Sequence, residues 1–112
     1  MGIVKIGDYV RTDDGIISKI ISILDEYIFI EDKKNYYYGN LVEKSKINKS
    51  SPNIIDLIEV GDYVNGLPVR YVEENRVDIG QEEDFLWLKN EHITSILTKE
   101  QFESMEYRIG GK

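Results

Sequence analysis

Few residues in this chain are of a type and spacing that could do chemistry. The single histidine, His92, follows Glu91 in an acidic stretch. It would need a partnered hydroxyl or thiol to act as a general base, and the sequence offers no cysteine and no Ser or Asp spaced to serve it. A polar surface position explains His92 better. The absence of cysteine also excludes disulfides, thiolate zinc sites and cysteine nucleophiles. Asp13-Asp14-Gly15 opens like a calcium loop but lacks the remaining ligands, and turn formation accounts for it. Of the nine glycines only Gly110 and Gly111 are adjacent, and none forms a phosphate-binding loop. No catalytic residue, metal ligand or cofactor is assigned, and the chain reads as a non-enzyme.

Binding has more support. Tyr36-Tyr37-Tyr38 stands beside Lys33-Lys34. Alternate side chains of a strand face opposite ways, so Tyr36 and Tyr38 share a face, and with the lysines they offer rings for base stacking and ammonium groups for phosphate. A plain strand with wet tyrosine hydroxyls is the simpler account, because the chain as a whole is acidic, with a net charge of −7. The acids and bases of residues 1–50 cancel, eight against eight, so the whole deficit lies in residues 51–112. Residues 73–91 carry seven carboxylates against two basic residues, a net of −5. Glu73, Glu74, Asp78, Glu82, Glu83 and Asp84 are therefore the expected working surface. Spaced carboxylates on a rigid β scaffold imitate nucleic-acid phosphates and suit a basic groove. Trp87, just beyond them, is expected to be the main core residue of its unit, with an interface anchor as the alternative.

The elements that must carry these residues show an internal repeat. Ile6-Gly7-Asp8-Tyr9-Val10 returns as Val60-Gly61-Asp62-Tyr63-Val64, 54 residues later. Each copy reads as a turn entering a strand. After the first come strands over 9–12, 16–24, 27–30 and 36–42, with turns at Asp13-Asp14-Gly15, Asp25-Glu26 and Lys33-Lys34-Asn35. After the second come shorter strands over 69–73, 76–79 and 85–88, with turns at Asn65-Gly66 and Asn75. Residues 44–52 are polar and read as a linker. Ser51-Pro52 suggests a short helical turn over 52–58, and Thr98 with Gln101 forms a capping box for a short helix over 99–104. Leu97 and Phe102 suit the accompanying hydrophobic staple, and 105–109 alternates like a last strand. The fold class is all-β with one or two short helical turns, built as two tandem SH3-like small-barrel units. The boundaries are 1–47 for the first unit, 48–57 for the linker and 58–112 for the second. No apolar run is long enough to span a bilayer, and the N-terminal segment does not read as a signal peptide or a myristoylation site, so a cytoplasmic protein is expected.

Asn53 to Gly66 (NIIDLIEVGDYVNG) and Ile96 to Gly111 (ILTKEQFESMEYRIGG) resemble small uncharacterised proteins of phages and prophages of low-GC Gram-positive bacteria. The resemblance covers much of the second half and the GDYV entry of the first, and it brings no catalytic motif. It implies the cytoplasm of a host cell and, by association with accessory phage genes, an anti-defence role of the anti-CRISPR kind. The leading expectation is a binding protein that inhibits a host defence factor, such as a CRISPR effector, by masking a basic nucleic-acid-handling surface. A KOW or SH3-like nucleic-acid module acting through Lys33, Lys34, Tyr36 and Tyr38 is the first alternative. A small-molecule-sequestering or structural phage protein is the second.

Overall fold

A computed structural model of the chain describes residues 4–31 and 40–105. Lys33, Lys34, Tyr36 and Tyr38, and the expected last strand beyond Met105, lie outside the described residues. The chain divides into two compact units, Met1–Ile58 and Glu59–Lys112. Both are built from antiparallel strands, as the alternation and turn signals require.

The first unit holds β1 (Tyr9–Thr12), β2 (Ile17–Leu24), β3 (Tyr27–Ile30), β4 (Asn40–Glu43) and β5 (Ile47–Ser51). They form one sheet in the order β4-β3-β2-β1-β5. Val10, Ile20, Ile28, Ile30 and Ile47 make its buried core, with Val4, Ile16, Ile23 and Val42 packed around them. Ile20 and Ile23 are three apart, which in a regular strand would put them on opposite faces. The β2–β3 register shifts between Ile20 and Ser22, and that irregularity lets both reach the core. Among the described residues no closed barrel is found; β4 and β5 remain the edges of an open sheet.

The polar segment expected to be a linker is part of this unit. Residues 44–46 make a 3-10 turn, and β5 then pairs antiparallel with β1. Its sequence, INKSS, lacks apolar alternation because an edge strand buries only part of itself, here Ile47 and Ser51. A 3-10 turn at Ile54–Leu57 follows, starting two residues later than the Ser51-Pro52 signal suggests. The Ser51 hydroxyl instead accepts from the Asn53 amide and donates to Asp56. Leu57 is buried, and its carbonyl accepts from Nη1 of the buried Arg11 at 3.0 Å.

Among the described residues the second unit holds β6 (Tyr63–Val64), β7 (Leu67–Pro68), β8 (Tyr71–Glu73), β9 (Arg76–Asp78), β10 (Trp87–Leu88), β11 (Ile96–Leu97) and the α-helix α1 (Lys99–Met105). These make two three-stranded sheets, β10-β9-β8 and β11-β6-β7. Asn65 and Gly66, both at positive φ, close the β6–β7 hairpin. Val64, Val69, Val77 and Ile79 are its buried apolar side chains. The capping box forms as expected: Gln101 N–H donates to Thr98 Oγ1 and Thr98 N–H to Gln101 Oε1. Phe102 stacks on Tyr63, ring centroids 5.2 Å apart.

The repeated pentapeptide folds the same way twice. Gly7 and Gly61 sit at φ +95° and +97°, where a side chain would be strained. In each copy the aspartate carboxylate accepts from the amide three residues earlier, Lys5 for Asp8 and Glu59 for Asp62. Val10 and Val64 are both fully buried, and Tyr9 and Tyr63 both half-buried. Beyond this turn the units differ, one five-stranded sheet against two three-stranded ones, so the likeness extends to a turn and its strand entry. The second copy adds a duty. Buried Asp62 also accepts from the Lys99 amide at 3.0 Å, tying the start of α1 to the turn.

Candidate binding surface

The face that gathers most of the sequence-selected residues is made by β8, β9 and β10. Their register sets it: Tyr71 and Trp87 both lie opposite Asp78, and Glu73 lies opposite Arg76. Residues directly opposite in an antiparallel sheet, and residues two apart on one strand, share a face. Tyr71, Glu73, Arg76, Asp78 and Trp87 therefore project to the same side.

On that side the aromatics form a row. Phe85 lies 5.8 Å from Trp87 with the rings nearly parallel, 4° apart, and 5.9 Å from Tyr71. Arg76 caps the Trp87 end, its guanidinium carbon 3.9 Å from the ring centroid, while its Nε donates to Glu73 at 2.7 Å. Arg70 lies 5.5 Å from the Phe85 centroid and 5.8 Å from that of Tyr71. These are cation–π distances. The row is exposed: Phe85 is 60 % accessible and Tyr71 53 %, with Val72 and Leu86 also open to solvent. Two large aromatic rings left open side by side, Tyr71 and Phe85, make a surface that asks for an explanation.

The loop that presents Phe85 is held from beneath by Asp78. This carboxylate is 0 % exposed. Its Oδ1 accepts from the amides of Gly80 (2.9 Å) and Leu86 (2.7 Å), and its Oδ2 from Arg70 Nε (3.0 Å). Arg70 spends its other donors on the same loop, Nη1 on the Glu82 carbonyl and Nη2 on the Asp84 carbonyl. Burial disfavours the Asp78 charge, but the Leu86 and Gly80 amides and the Arg70 guanidinium outweigh it and hold its pKa below the ordinary 3.8. Gly80 makes the closure possible. A Cβ there would lie 2.0 Å from the Asp84 carbonyl oxygen and 2.7 Å from the Leu86 nitrogen.

The six carboxylates expected to form the working face thus divide. Glu73, Glu74, Glu82, Glu83 and Asp84 are exposed. Asp78 projects to the same side but does not reach the surface: it is the buried organiser of the loop, because ordering that loop requires an acceptor for two amides and a guanidinium. Trp87 is likewise not a fully buried core residue; it is half-buried within the aromatic row. The basic-aromatic alternative at Lys33, Lys34, Tyr36 and Tyr38 falls outside the described residues. His92 is exposed and serves its own turn, its Nδ1 accepting from the Lys89 amide at 3.0 Å. Among the described residues no three His, Asp or Glu side chains gather to hold a metal ion, and no helix is long and apolar enough to cross a membrane. A concavity of about 640 Å³ opens in the first unit, with Asp13, Asp14, Glu43 and Lys46 in its lining.

The sequence matches no protein-family model, and comparisons with curated proteins and with solved structures find no match. Phe85, Tyr71, Arg70 and Arg76 were missed as members of the surface. The spacing of Phe85 and Trp87, two apart at a strand, was the signal that could have placed both on one face.

Proposed function

We propose that this protein is a non-enzymatic binding module that engages a basic protein surface through the β8–β10 face. The observation that supports this reading most is the exposed row Tyr71–Phe85–Trp87, bordered by Glu73 at one end and by the Glu82–Asp84 loop at the other. Aromatic and arginine side chains at the centre and charges at the rim are the composition of protein-binding hot spots. The rim carboxylates supply steering toward a positively charged partner. The resemblance to phage proteins makes a host defence factor with a nucleic-acid groove, such as a CRISPR effector, the first partner to test, with masking of that groove as the mode of inhibition.

The test is association with a purified, nucleic-acid-free CRISPR effector, followed by surface plasmon resonance. Glu82→Lys, Glu83→Lys, Asp84→Lys together should slow association about tenfold or more at low ionic strength, with the difference shrinking as salt is added. Glu26→Lys, Glu31→Lys, Glu43→Lys makes the same change in net charge at exposed positions of the first unit. Equal slowing by both variants, or no binding by the unaltered protein, would count against the face.

A further inference from the structure

We infer that the β8–β10 face recognises arginine side chains, so that its partner presents an arginine-rich segment rather than a merely basic one. This rests on the reading of the face as a protein-binding surface and names what it selects.

The face already displays the mode twice. Arg76 lies over Trp87 at 3.9 Å while its Nε and Nη2 engage the Glu73 carboxylate. Arg70 lies beside Tyr71 and Phe85 while it satisfies Asp78 and two loop carbonyls. In both, a planar guanidinium meets a ring and an oxygen acceptor at once, which an ammonium does less well. Internal arginines take part of the row, but Phe85 at 60 % and Tyr71 at 53 % still offer open ring surface. Acceptors stand next to that surface. Glu82, Glu83 and Asp84 belong to the loop whose carbonyls are fixed to Arg70, the residue that lies against Phe85. An incoming guanidinium thus finds an exposed ring and nearby carboxylates, the pairing that Trp87 and Glu73 already give Arg76.

Charge decides against the other ligand that likes aromatic rows. Single-stranded nucleic acid would stack bases on Phe85 and Tyr71, but its phosphates would face Glu73, Glu74, Glu82, Glu83 and Asp84. Among the described residues the cations lying against the row are engaged already, Arg70 by Asp78 and Arg76 by Glu73.

Trp87 is the only tryptophan of the chain and lies in the row, so its fluorescence reports binding directly. The full chain is titrated with three probes: a capped Gly-Ser peptide carrying spaced arginines, its lysine-for-arginine analogue, and an oligothymidine strand. The arginine peptide is expected to bind about tenfold tighter than the lysine peptide, and this ratio should persist as added salt weakens both. Phe85→Ala should bring the ratio close to one; Phe85 is exposed, and an unchanged thermal midpoint confirms that the fold is intact. Glu82→Gln, Glu83→Gln, Asp84→Asn together should weaken both peptides. Equal binding of the two peptides overturns the arginine preference and leaves the basic-partner reading standing. Binding of neither peptide overturns both, and tight binding of oligothymidine alone would assign the face to nucleic acid.

Discussion

Gly80→Ala should release the loop that carries Phe85. The added Cβ falls 2.0 Å from the Asp84 carbonyl oxygen, whereas ordinary contact begins at 3.4 Å, so loop and strand must part by more than an ångström. Nothing flexible can absorb this, because the two nearest atoms, Asp84 O and Leu86 N, belong to the backbone. The Arg70 Nη2 bond to Asp84 O (2.9 Å) and the Ile79 amide bond to Leu86 O (2.9 Å) both cross the gap that widens. At an ångström or more beyond these lengths neither is a hydrogen bond. Overpacking costs about 1–3 kcal/mol, and each of the two net hydrogen bonds on the order of 1 kcal/mol, so the variant should lose about 3–5 kcal/mol. In a unit this small each kcal/mol moves the midpoint by roughly 4–8 °C, which puts the thermal midpoint at least about 12 °C lower. Trp87 fluorescence during heating measures it in the affected unit. A midpoint within about 2 °C of the unaltered protein would refute the closure geometry at Gly80.

Val10→Ala and Val64→Ala, at matched and fully buried positions, should each cost about 1–3 kcal/mol in denaturant unfolding, and an unchanged midpoint for either would show that its strand entry does not depend on that packing. Asp78 has a folded pKa below its ordinary 3.8, so its contribution to stability is present above that value and is lost as pH falls through the lower folded pKa. The stability gap between the unaltered protein and Asp78→Asn should therefore be widest near neutrality and narrow in acid; a gap constant down to about pH 2 would refute this.

Local chemistry was legible in the sequence where a few neighbouring residues decide the conformation. The GDYV turns and the Thr98–Gln101 box satisfy backbone groups within a few residues, and Asn65-Gly66 and Asn75 supply the positive φ of their turns, so spacing alone revealed them. β5 was not legible, because a polar edge strand borrows its conformation from the strand it joins, and Ile47–Ser51 carries no alternation of its own. Asp78 was misread for a related reason. Among seven carboxylates nothing in its type sets it apart, and its burial is decided by Arg70 and Leu86, each eight residues away. The exposed carboxylates Glu73, Glu74 and Glu82–Asp84 were readable as charge. The aromatic row between them depends on the register of three short strands, which a sequence does not print.

The bond from the Lys99 amide to Asp62 spans 37 residues and has a consequence for how the chain matures during synthesis. The sheet of the first unit has its last strand once Ser51 is made, so it can assemble while the remainder is still being translated. The second unit has no such early finish. Its first strand, β6, pairs at once with β7, but the other edge of β6 waits for β11, and its buried aspartate waits for the amide of Lys99, 37 residues on. The ribosome therefore delivers a nearly finished first unit followed by a second that stays open until Lys99 emerges. A stop or frameshift ahead of that residue would leave Asp62 without this partner and the second unit exposed to proteases.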